Sequence, residues 1–110
     1  MNISKKEKYT IITPKSNSVN EFYTQLEGKL NSLKEEHLII DFSENLNIKI
    51  EEIALFLKLS EVHKQNGTSF VLIYDNLDID DLPEELIVVP TITEAEDTID
   101  MEAIERDLGF

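Results

Sequence analysis

Two rhythms of hydrophobic and polar positions run along this chain. Short apolar runs fall at 8–13 (KYTIIT), 37–42 (HLIIDF), 69–74 (SFVLIY) and 86–89 (LIVV). Runs of this length, rich in Ile, Leu, Val and Phe, predict strands of the kind that parallel sheets bury on both faces. Between them the spacing turns helical. Val19, Phe22, Tyr23, Leu26, Leu30 and Leu33 recur at three- and four-residue steps and predict a helix over 18–34. A second helix is predicted over 49–65, with Ile50, Ile53, Ala54, Leu55, Phe56, Leu57, Leu59 and Val62 as its apolar positions. These cover more than one stripe, so the helix is expected to pack on two neighbours or to leave apolar surface for a partner or a second copy. A third helix opens at Ile92, Ala95 and Ile99 and continues as Met101, Ile104 and Leu108. The second set is offset from the first, which predicts a bend near Asp100 or a change of packing partner.

Punctuation residues divide these elements. Pro14 ends the first strand, which then needs no further ladder donor. Ser18-Val19-Asn20-Glu21 and Thr91-Ile92-Thr93-Glu94 both carry the hydroxyl and the carboxylate of a capping box. Asn45 and Asn47 are candidate caps for the second helix. Asn66-Gly67 stops that helix, and Pro83 is placed to begin one short turn. Residues 1–7 are polar and expected to be loose. The result is a single α/β domain over 1–110, in the order β-α-β-α-β-β-α. It predicts a four-stranded, largely parallel sheet flanked by three helices, with 101–110 as a C-terminal helical extension. The unit at its centre, 37–75, is a βαβ crossover, expected to be right-handed.

Charge narrows the partners. The 110 residues carry 23 acidic and 10 basic side chains, a net charge of -13. Such a surface repels nucleic acid and anionic lipid, so neither is an expected partner, whereas a protein with a basic surface is compatible with it. The same charge also serves plain solubility. The apolar fraction of 41% is that of a globular chain. With no Cys there is no disulfide framework and no thiolate nucleophile. The first residues lack an apolar stretch after their lysines, so no signal peptide is expected, and no run reaches the length of a membrane span. A cytoplasmic monomer or weak homodimer is the expectation.

Catalytic chemistry finds little to work with. His37 and His63 lie on different elements, with no nucleophile or paired acid at motif spacing. His37 is expected near the surface, and His63 in the last turn of the second helix, where a cation suits the dipole. The acidic run Asp75, Asp78, Asp80, Asp81, Glu84 and Glu85 lacks the glycine of a calcium loop and is interrupted by Pro83, which makes it solvated charge. The three glycines, Gly28, Gly67 and Gly109, are isolated, so no phosphate-cradling loop is present. No catalytic, cofactor or metal residues are assigned, and the chain is not expected to be an enzyme.

The order of elements resembles the STAS domain, the fold of bacterial anti-sigma factor antagonists. The matching residues run from Lys8 to about Ile99. They include Ile39-Ile40-Asp41, the loop 43–48, the helix ending near Gln65, Gly67 with 70–74, and Val89-Pro90-Thr91-Ile92-Thr93-Glu94-Ala95. The resemblance implies a regulatory module that binds another protein at the start of its central helix. There the family carries Asp-Ser-Ser-Gly, whose first Ser is phosphorylated by a partner kinase. Counting back from Gly67 places that segment on Lys49-Ile50-Glu51-Glu52, and no Ser or Thr lies between Ser43 and Ser60. The usual phosphoacceptor is missing. Glu51 and Glu52 stand either as permanent negative charge in its place or as ordinary acids of a first helical turn. The short acidic turn 76–85, the absence of a first strand and the ending MEAIERDLGF are further departures.

The implied partner surface comprises Asp41, Ser43, Glu51 and Glu52 with Asp78, Asp80 and Asp81. Met101, Ile104, Leu108 and Phe110 are a candidate docking segment for a partner groove, or else cover the sheet edge or the first helix. The ending is also similar to that of short chains labelled ribonuclease Z, whose zinc-dependent chemistry requires a cluster of His and Asp ligands. This chain has two His in no ligand motif, so that likeness implies at most an accessory role beside an RNA-processing enzyme.

Overall fold

The computed structural model describes residues 1–15, 18–43, 48–75 and 82–109. Five strands form one sheet in chain order: β1 (Asn2–Lys5), β2 (Thr10–Thr13), β3 (Leu38–Asp41), β4 (Phe70–Ile73) and β5 (Ile87–Val89). β1 runs antiparallel to β2, and the remaining pairs are parallel. The helices are α1 (Val19–Lys29), α2 (Ile50–Ala54), α3 (Phe56–Gln65) and α4 (Ile92–Asp107), with a 3-10 turn over Leu30–Leu33 continuing α1.

The register explains why the central strands read as continuous apolar runs. Ile40 pairs with Ile12 and with Leu72, and Ile39 pairs with Ile11 and with Val71. Alternate residues therefore meet opposite layers. Ile12, Leu38, Ile40, Phe70 and Leu72 face a core filled by Phe22 and Leu26 of α1, Ile53 of α2, and Phe56 and Leu59 of α3. Ile39, Val71 and Ile73 face Ala95 and Ile99 of α4. Burial on both sides removes the alternation that a half-exposed strand would show.

Three expectations are corrected. Residues 2–5 are not loose: Asn2–Lys5 pairs with Thr10–Thr13 as β1, so the sheet has five strands and the missing first strand is present. Its polar composition reflects its place at the sheet edge, where Asn2 and Lys5 are exposed. The predicted helix over 49–65 breaks at Leu55, whose N–H reaches back to the carbonyl of Glu52 at 3.3 Å, a three-residue step that tightens the turn. Its N-cap is Lys49 rather than an asparagine, and the asparagines at 45 and 47 lie outside the described residues. The third correction concerns α4, which runs unbroken from Ile92 to Asp107 with no bend near Asp100. Its second apolar stripe faces solvent instead, and 101–107 belong to the same helix as the residues that pack on the sheet.

Ser18, Thr91, Gly67 and Pro83 punctuate the chain where expected. Ser18 Oγ accepts from Glu21 N–H at 3.2 Å, and Thr91 Oγ1 accepts from Glu94 N–H at 3.3 Å. Gly67 follows α3 at φ 83°, the left-handed region, with its N–H on the carbonyl of Lys64. Leu86 N–H closes a turn onto the carbonyl of Pro83.

Candidate functional site

The parallel strands all end at one pole of the sheet, where α1, α2 and α4 begin. Asp41 is the last residue of β3 and stands beside Ile73, the last of β4. Its Oδ1 accepts the N–H of Ser43 at 2.9 Å, which turns the chain out of the strand. Between them Phe42 is buried, its N–H bonded to the carbonyl of Ile73 and its ring edge-on to Phe22 and Phe56 at 5.6 and 5.3 Å. Tyr23 also packs edge-on against Phe56 at 5.4 Å. This aromatic group locks the end of β3 to α1 and to α3, so the pole above it is held by a rigid floor.

The start of α2 carries fixed negative charge. Glu52 Oε1 accepts the N–H of Lys49 at 3.0 Å, closing the helix start from inside its own first turn. Glu51 is exposed and bears its charge outward. Both sit where the partial positive charge of the helix terminus favours acids. Ile48, just before, is buried, and anchors the segment to the core. Ser43 is exposed at the same pole, as is Asp75, two residues beyond β4.

Asp41, Ser43, Glu51 and Glu52 therefore share one pole and one pair of consecutive elements. Asp78, Asp80 and Asp81 lie outside the described residues, as does Phe110. Met101, Ile104 and Leu108 are on the exposed side of α4, 61%, 58% and 66% accessible. They do not cover the sheet.

A polar network joins the opposite pole. His63 is buried in α3 and not a solvated cation: its Nε2 stands 2.6 Å from the carbonyl oxygen of Glu36, which makes that nitrogen the donor. Burial pushes its pKa below the ordinary value, so the ring is held neutral. His37 Nδ1 accepts the N–H of Ser69 at 2.9 Å, and burial together with Arg106 lowers its pKa too. Arg106 of α4 donates to Ser69 Oγ at 2.9 Å, while Thr10 Oγ1 and Lys5 Nζ hold the Glu36 carboxylate. The two histidines are thus structural bolts between α3, β3, β4 and α4. Among the described residues no group of three His, Cys, Asp or Glu is placed to hold a metal ion. A signal for His63 was present in the chain, because it falls on the same helical stripe as Phe56 and Leu59.

No described helix is long and apolar enough to cross a membrane. A cleft of about 360 Å³ lies away from the candidate pole, between the turn Lys6–Tyr9 and α4 residues Glu96, Ile99 and Asp100. There Tyr9 Oη donates to Glu96 Oε2 at 2.5 Å, and that carboxylate pushes the phenol pKa up to about 12.

No family model matches the chain, and no curated protein sequence matches it. Solved structures do. A chain of the stressosome, described as a signal integration and transduction hub, is similar with TM-score 0.59 at 18% identity, covering 93% of this chain and 98% of that one. A Ser-to-Glu variant of RsbS from Moorella thermoacetica is similar with TM-score 0.62 at 19% identity, covering 93% and 96%. The protein TM1081, solved by NMR, is similar with TM-score 0.67 at 15% identity, covering 89% and 86%. At these identities the likeness is one of fold. With its five-stranded mixed sheet, its helices on both faces and these neighbours, the chain has a STAS-like fold.

Proposed function

We propose that this chain is a non-enzymatic regulatory module that binds another protein through the pole built from Asp41, Ser43, Glu51 and Glu52. The observation that carries the reading is the start of α2. The segment where the STAS pattern places its phosphoacceptor holds Ile50 at that position, followed directly by two carboxylates, Glu51 exposed and Glu52 bonded back to Lys49 N–H. Carboxylates there bring acidic charge with the side chains themselves, so the surface needs no kinase to acquire it. The fold neighbours support a signalling role: one belongs to a signal integration and transduction hub, and another is a variant in which Ser is replaced by Glu. The module reads as one locked in a charged state, its partner chosen by electrostatic complementarity to an acidic pole. The acids at 78, 80 and 81 are part of the proposed surface on sequence grounds. Nothing favours an accessory role beside a ribonuclease Z.

The test is affinity purification of the tagged protein from its own cells, with mass spectrometry and phosphosite mapping of the bound fraction. A specific, stoichiometric signalling protein in the eluate, with Ser43 unmodified, is the expected result. An enzyme of RNA processing as the sole specific partner would contradict the proposal.

A further inference from the structure

Met101 and Ile104 of α4 and Leu108, which caps its end, follow one another at three- and four-residue steps, on the side of the helix away from Ala95 and Ile99. The inner side packs on β4 and β5, so the outer stripe has no role in the core described for this face. Each of the three is more than half exposed, in a helix whose polar positions are mostly acids. Burying three such side chains in one seam is a large gain left unused in the isolated chain.

The flanks say what covers the stripe. Asp97 lies one turn before it, Asp100 along one side and Glu105 along the other, all exposed. The cations within reach are committed: Lys8 pairs with Asp100 at 3.6 Å, and Arg106 turns inward to Ser69 and Glu102. A second copy laid on this seam would set acid against acid in a chain of net charge -13, and an anionic lipid surface would meet the same repulsion. We infer that the outer face of α4 is a docking surface for an amphipathic helix whose apolar stripe is flanked by lysines or arginines. It is distinct from the pole at Glu51 and Glu52 and independent of the reading given for that pole.

The test uses three synthetic peptides and the isotopically labelled full chain, read by amide chemical shifts and titration calorimetry. One peptide carries leucines at helical i, i+3, i+4 and i+7 spacing flanked by lysines. The second has the same composition scrambled, and the third has glutamates for the lysines. Saturable binding of the first alone is expected, with the largest shifts at Met101, Ile104 and Leu108. Ile104→Ser, exposed and so without cost to the core, weakens it about tenfold or more. Glu51→Lys leaves it unchanged, which separates this surface from the other. Equal binding of the scrambled peptide, shifts centred elsewhere, or undiminished affinity in Ile104→Ser would overturn the inference. So would a dimer in sedimentation that Ile104→Ser dissociates, which would make a second copy the occupant.

Discussion

His63 and Glu36, twenty-seven positions apart, are joined by a 2.6 Å hydrogen bond from the ring Nε2 to a main-chain carbonyl. The bond pins the last turn of α3 to the residue that leads into β3, inside a core where the ring also packs edge-on against Phe70.

This arrangement sets a pH dependence. Burial lowers the pKa of both His63 and His37 from the ordinary 6.5, so the folded state holds them neutral while the unfolded chain takes up protons near that value. Their contribution to stability is therefore full above about 6.5 and is lost as pH falls through the lowered folded values. On going from above that value to below it, the urea midpoint of the native chain should fall more than that of His63→Gln, which lacks that titrating ring. Parallel pH profiles for the two proteins would contradict the assignment.

The aromatic floor beneath the candidate pole carries much of the packing there. Phe42→Ala should destabilise by about 3–5 kcal/mol, and Phe42→Leu by under about 1.5 kcal/mol, measured by denaturant unfolding. Equal small losses for both would mean that the end of β3 is not fastened as described.

Two glycines should respond with opposite signs. Gly67 sits at φ 83° with open space around a would-be Cβ, so Gly67→Ala meets conformational strain alone and should cost roughly 1–2 kcal/mol. Gly28 lies exposed inside α1, also in open space, and Gly28→Ala should stabilise by about 0.5–1 kcal/mol. Thermal melts of the two variants read the difference directly.

Removing residues 1–7 tests β1. Asn2–Lys5 pairs along its length with Thr10–Thr13, Met1 packs against the main core, and Lys5 reaches the Glu36 carboxylate. Truncation should lower Tm by several degrees, whereas a loose tail would leave it unchanged.

Much of this fold was legible in the chain because its central strands are buried on two sides. Continuous runs such as Phe70–Ile73, bounded by Asn66-Gly67 and by polar residues, leave little choice of element, and the hydroxyl caps Ser18 and Thr91 mark helix starts by local chemistry alone. β1 was hidden because an edge strand can be polar, and NISK has no pattern of its own until Thr10–Thr13 is beside it. The break at Leu55 was hidden for a different reason: Leu55 is as good a helix former as its neighbours, so no residue at that point marks a boundary. The candidate pole was reached through the resemblance and not through spacing. The opposite network was missed because its bonds join 36 to 63, 37 to 69 and 69 to 106, distances over which sequence patterns carry no signal.

The central claim is that negative charge at the start of α2 selects the partner. It is tested most directly by the partner's affinity for the native chain and for Glu51→Lys combined with Glu52→Gln, the glutamine keeping an acceptor for Lys49 N–H. A loss of tenfold or more, about 1.4 kcal/mol, with an unchanged melting temperature is the predicted result. Unchanged affinity in a folded double variant would contradict the account.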